Sequence, residues 1–113
     1  MPKKEMEFFD HDRHIGWRQV KDAPEGVIEK ILSEDPESGD YCRLLKFPPG
    51  LTTSEVLVHD FWEEVYILDG FLIDLNKKET YTTGMYACRP PGMIHGPYSI
   101  PQGCTTLEMR YYK

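Results

Sequence analysis

GMYACRPPGMIHGPYS, residues 84 to 99, is the stretch from which the fold can be read. Gly84 opens it, five residues follow, and Pro90-Pro91-Gly92 leads after two more residues to a single histidine, His95. Neither proline can sit in a paired central strand, because its φ is fixed and its N–H is missing. Gly92 tolerates the positive φ that a tight turn requires. The backbone is therefore expected to reverse before Met93-Ile94-His95 and to place His95 at the start of a new strand.

The remaining sequence has the same texture of short strands and turns. Nine glycines and nine prolines punctuate runs of Tyr, Val, Ile, Thr and Phe, which reads as an all-β sandwich or barrel. At 113 residues the chain is expected to be one domain. Its net charge of −6 disfavours nucleic acid and anionic membrane surfaces as partners. No apolar run is long enough to span a bilayer and no signal peptide is visible. Cys42, Cys88 and Cys104 are odd in number, so reduced thiols in the cytoplasm are expected.

Residues 1–16 are charged and aromatic without a clean period, and read as an N-terminal arm, disordered or pinned by Phe8, Phe9 and Trp17. His11 and His14 in this segment read as solvated side chains, since a metal ligand must be held rigidly. Strands are expected at Val27–Leu32 and Tyr41–Phe47, separated by the turn cluster SEDPESGD, and Pro48-Pro49-Gly50 ends the second. Val65–Leu68 is expected to meet a hairpin turn at Asp69-Gly70, with Phe71–Leu75 returning and Asn76–Glu79 as a charged loop. CTTLEMRYY is the last expected strand. The arm, through Phe8 and Phe9, could cover an exposed edge of a second copy, so a homodimer is expected.

The spacing from Gly84 to His95 closely resembles the second motif of the cupin superfamily, departing only at its last position, where Ser99 replaces asparagine. The first cupin motif is matched by His59, by Glu63 and, after six further residues, by Gly70. Leu57 stands where the family has another histidine, and Gly50 lies one residue further upstream than usual. The resemblance implies a jelly-roll, double-stranded β-helix barrel over residues 17–113. It also implies a metal site of His59, Glu63 and His95, with a divalent ion such as Fe, Zn or Mn as cofactor. Two imidazoles and a carboxylate suit these ions, and identity does not follow from the residues. Against this stand a core histidine at His59, a solvated Glu63-Glu64 pair, and Glu64 as the inward neighbour instead of Glu63. Residues two apart on a strand share a face, so Leu57 lines whatever cavity His59 enters, and Glu55 has the same parity.

The order Trp17, Gly26, Gly39, the Pro-Pro-Gly before motif one, Pro91-Gly92, His95-Gly96-Pro97 and Gly103-Cys104 narrows the likeness. It is similar to small cupins related to the cupin domain of zinc anti-sigma factors and to acetylacetone dioxygenase-like proteins. That implies a metal-dependent, oxygenase-like enzyme on a small dicarbonyl or phenolic compound, in a pocket walled by Leu57, Tyr66, Met93 and Phe47. A non-catalytic cupin module that binds a metal or metabolite is the alternative. No zinc-binding helical segment precedes the cupin-like part, so a sigma-factor role is not expected. Arg89 and Arg110 could meet an anionic substrate, but an exposed arginine is the commoner case, and Cys104 reads as a small buried residue without nucleophilic character.

Overall fold

The computed structural model describes residues 3–54 and 56–112. Glu55, expected to share the parity of Leu57 and His59, lies outside the described residues. The chain is almost all β. A one-turn helix α1 (His11–His14) precedes β1 (Arg18–Gln19), β2 (Ile28–Glu34), β3 (Tyr41–Phe47), β4 (Leu51–Thr52) and β5 (Trp62–Asp74). Then come β6 (Glu79–Thr82), β7 (Tyr86–Arg89), β8 (Tyr98–Ile100) and β9 (Cys104–Tyr111). All pairings are antiparallel. One sheet runs β1-β2-β3-β9-β5-β7, and the other joins β4, β8, β5 and β6. The result is the expected jelly roll, in which two curled sheets share one long strand. Among the described residues, no helix is long and apolar enough to cross a membrane.

That shared strand corrects the sequence reading. Asp69-Gly70 is not a hairpin turn, because β5 runs straight through it. Its first half pairs with β7 and β9, and its second half with β6 and β8. Gly70, at φ 83°, follows a bulge at Ile67/Asp69, so the glycine bends one strand from sheet to sheet. The reversal falls instead in the expected charged loop. There the Lys78 N–H donates to Asp74 O at 2.7 Å, and the Asp74 carboxylate accepts from the N–H groups of Asn76 and Lys77.

The N-terminal segment is held differently from the expectation. Phe8 is 99% exposed and pins nothing among the described residues. Lys30, on the outer face of β2, is covered instead: its Nζ donates to Asp12 at 2.7 Å, meets His11 Nδ1 at 3.1 Å, and lies 4.9 Å from the Trp17 ring centroid. At the other end of the barrel Ile67, Leu72, Ile100 and Cys104 form the buried apolar cluster, with Phe47, Leu51, Tyr81 and Tyr98 packed on it. Strand β9 turns its polar residues inward: Thr106 and Glu108 are buried, while Leu107 and Met109 are only half-buried on the opposite face.

Candidate metal centre in the barrel

The Pro90–Met93 turn forms as expected, with Met93 N–H donating to Pro90 O at 3.1 Å and Gly92 at φ 85°. Its Gly92 N–H donates to His59 O at 2.8 Å, and Leu57 and His95 exchange two backbone hydrogen bonds of 2.7 and 3.0 Å. Three bonds thus knit the two histidine-bearing segments together, although His95 is an isolated bridge and the next strand begins only at Tyr98. Directly opposed residues in an antiparallel pair project to the same side, so Leu57 stands beside His95 at the cavity.

Glu63 comes from β5, and alternation turns it inward while Glu64 faces out. Glu64 accepts hydrogen bonds from the hydroxyls of Tyr86 and Tyr111. His59, stacked on Phe61 with ring centroids 4.5 Å apart, lies 5.2 Å from the His95 ring. One potential ligand atom each from His59, Glu63 and His95 lie within 4.8 Å of one another. Bonds of about 2.1 Å to one ion would separate neighbouring ligand atoms by roughly 3–4 Å, so a small inward adjustment closes this set. His95 Nε2, 3.9 Å from Glu63 Oε1, is buried without a hydrogen-bond partner, which suits an imidazole directed at a cation. The donor set therefore fits a divalent first-row ion.

The arginines differ most from the sequence reading. Arg89 and Arg110 are not exposed: Arg89 Nη1 donates to Glu63 Oε1 at 2.8 Å, and Arg110 Nε lies 3.5 Å from Glu63 Oε2. Arg89 Nη2 also donates to Tyr98 Oη at 3.0 Å, and that hydroxyl sits 3.3 Å from His95 Nδ1. Deeper, Arg43 is clamped between Glu29, at 2.6 Å, and Glu108, at 2.7 Å from its Nε. Burial pushes Glu63 upward, but Arg89 and Arg110 outweigh it and hold the carboxyl below its ordinary range. Burial, helped by the Arg89 charge, pushes His95 down to about 4 and lowers His59 as well, so both imidazoles are neutral. Burial and the Glu63 charge raise Glu108 to about 6.

Leu57, His59, Glu63, His95 and Phe47 line one cavity of about 500 Å³, and Met93 lines an adjoining one of about 210 Å³. Tyr66 does not belong to either: it is 40% exposed on the outer face, because Glu63 and Val65 hold the inward parity of β5. His11 and His14 lie outside the cluster. The sequence reading missed Arg43, Thr106 and Glu108 altogether. Period-two polarity in Thr106-Leu107-Glu108-Met109-Arg110 was visible, but the usual rule would bury the leucine and methionine.

The ChrR cupin-like domain family model matches residues 5–111. The chain belongs to this family of cupins. The family match begins at residue 5, within the segment read as an arm. No curated protein matches this cupin in sequence. Among solved structures it is similar to an RmlC-like cupin from Shewanella frigidimarina, with TM-score 0.73 and 18% identity over 97% of this chain and 93% of that one. The acetylacetone dioxygenase of Acinetobacter johnsonii superposes with TM-score 0.72 and 15% identity, covering 94% and 73%. The Rhodobacter sphaeroides complex of SigE with the anti-sigma ChrR gives TM-score 0.66 and 21% identity, covering 87% of this cupin and 50% of that chain. At these identities the likeness is one of fold.

The His95 shift has a testable consequence. Its folded pKa lies below the ordinary 6.5, so the unfolded chain binds more protons between those values. Its contribution to stability is complete above pH 6.5 and is lost as pH falls through about 4. In metal-free protein, the stability of the unmodified chain relative to His95→Asn should fall by about 2 kcal/mol from pH 7 to pH 5. Urea titrations at the two pH values check this, and a constant difference would mean that His95 is not buried neutral.

Proposed function

We propose that this cupin holds one divalent ion, Fe, Zn or Mn, on His59, Glu63 and His95, and acts as an oxygenase-like enzyme on a small dicarbonyl or phenolic compound. The reading is carried by His95 Nε2, buried and unpartnered beside a carboxylate and a second neutral imidazole at one cavity. A bound ion would polarise a coordinated substrate oxygen as a Lewis acid, and iron would add dioxygen chemistry. The chain's own groups prepare the site. With its proton on Nδ1, donated to Tyr98 Oη, His95 presents the Nε2 lone pair to the cavity. Arg89 fixes both Glu63 and Tyr98, so one guanidinium braces two of the three ligands. Leu57 and Phe47 line the cavity and offer apolar surface to the substrate.

A non-catalytic metal- or metabolite-binding module is the second reading, favoured by the hold of two arginines on Glu63. Metal content tests what the two readings share, and dioxygen uptake separates them. Protein purified without added metal or chelator should contain about one equivalent of divalent ion by elemental analysis, falling to background in His95→Ala but not in His11→Ala or His14→Ala. Leu57→His should bind metal more tightly and lose turnover, by filling the position left for substrate. Dioxygen uptake by the Fe(II)-loaded protein with β-dicarbonyl and phenolic compounds supports the enzyme, and its absence across them favours the module. Retention of metal in His95→Ala removes both readings of the site.

We also propose a homodimer in a reducing cytoplasm. Its support is the exposed Phe8 and the exposed outer-sheet residues Tyr66 and Tyr86, together with three free cysteines. A Phe8→Ser, Phe9→Ser double variant should sediment more slowly than the unmodified protein at micromolar concentration. A monomeric unmodified protein rejects the dimer.

A further inference from the structure

We infer that the cavity takes a ligand with an anionic oxygen head, a carboxylate or an enolate, on an apolar body, and that Arg110 recognises the head. This names the ligand class of the site proposed above and rests on that reading. The inner arginine and the outer ones are not equivalent. Arg43 is saturated by two carboxylates, Glu29 and Glu108. Around Glu63 one carboxylate faces two guanidiniums, of which Arg110 is shared with Glu108. Arg89 is fully engaged there by Glu63 and Tyr98. Arg110 is not: its Nε is buried with no hydrogen-bond partner, and the nearest carboxylate oxygens, of Glu63 and Glu108, are both 3.5 Å away.

Two further buried atoms without partners belong to the same cavity. They are His95 Nε2 and the hydroxyl of Thr106, a residue only 1% exposed. Thr106 and Arg110 both face inward from β9, so one strand offers two unused donors to the interior. Unmatched buried donors are costly, and an acceptor that satisfies them regains what an apolar occupant would forfeit. Arg43, Arg89 and Arg110 are matched in number by Glu29, Glu63 and Glu108, so a divalent ion on Glu63 would create a positive excess, which an anion offsets. An apolar wall of the same cavity is formed by Leu45, Leu51, Leu72 and Ile100. About 500 Å³ accommodates a ring-sized body against that wall.

The test uses phenylpyruvate and its neutral amide, which share a ring and a 2-oxo group and differ in the charged head. Calorimetric titration of the Zn(II)-loaded protein should give at least about tenfold tighter binding of the acid. Arg110→Gln should lose that preference while binding Zn(II) at least as tightly as the unmodified protein, because a positive charge beside Glu63 is gone. Those opposite signs are not produced by a loosened fold, which weakens both. Equal binding of acid and amide by the unmodified protein overturns the inference, without reliance on any variant. An acid preference that survives Arg110→Gln overturns the role of Arg110. If the unmodified protein binds no Zn(II), the metal reading fails, and the same comparison on metal-free protein decides the anion site alone.

Discussion

Replacing Arg43 with alanine should lower the stability of this cupin by about 3–5 kcal/mol, the loss expected when one partner of a buried ion network is removed. Arg43 Nη1 meets Glu29 at 2.6 Å, and its Nε and Nη2 meet Glu108 at 2.7 and 2.6 Å. Without the guanidinium, two buried carboxylates face each other, and Glu108 is already raised to about 6 by burial and by Glu63. Urea denaturation at pH 7 measures the loss, and acidification to pH 5 should recover part of it by protonating Glu108. A loss under about 1 kcal/mol would mean that water or a neighbouring cation replaces Arg43. Exchanging Glu29, Arg43 and Glu108 together for apolar residues should cost far less, since the three charges gain little over a well-packed apolar set.

Gly70→Ala should be of similar size or larger, about 4 kcal/mol or more, and should reduce the yield of folded protein. A Cβ at Gly70 would lie 2.3 Å from Gly103 O and 3.0 Å from Cys104 Cα, both backbone atoms that no side-chain rotation can move. The φ of 83° adds the left-handed cost for an L-residue. The overlap pushes β9 away from β5 at the bend that carries the chain between sheets, and β9 supplies Thr106, Glu108 and Arg110 to the cavity. Gly50→Ala is the control: its φ is 82°, but nothing lies within 4 Å of the added carbon, so only the conformational cost of about 1–2 kcal/mol should appear. Equal melting behaviour of the two variants would show that the Gly70 approach is not tight.

The turn before His95 is a local matter, because Pro90, Pro91 and Gly92 leave the backbone few conformations. Tyr41–Phe47 was legible as a strand for the same local reason, with Pro48 at its end. Strand alternation made Glu63 and Glu64 mutually exclusive, and motif spacing chose Glu63. Gly70 was misread because a glycine after an aspartate is the local signature of a hairpin, whereas its use here is set by a neighbour more than thirty residues away, the Gly103 carbonyl. Tyr66 was placed in the pocket for its aromaticity, although its parity with Glu64 turns it out. The ion-pair partners of the arginines could not be assigned from the sequence. Arg89 meets Glu63 only through the register of β7 on β5, and Arg110 through that of β9 on the other side. That polar groups fill one end of the barrel follows from long-range contacts alone, because burial of a charge depends on a partner from another strand, and strand order is not a local property.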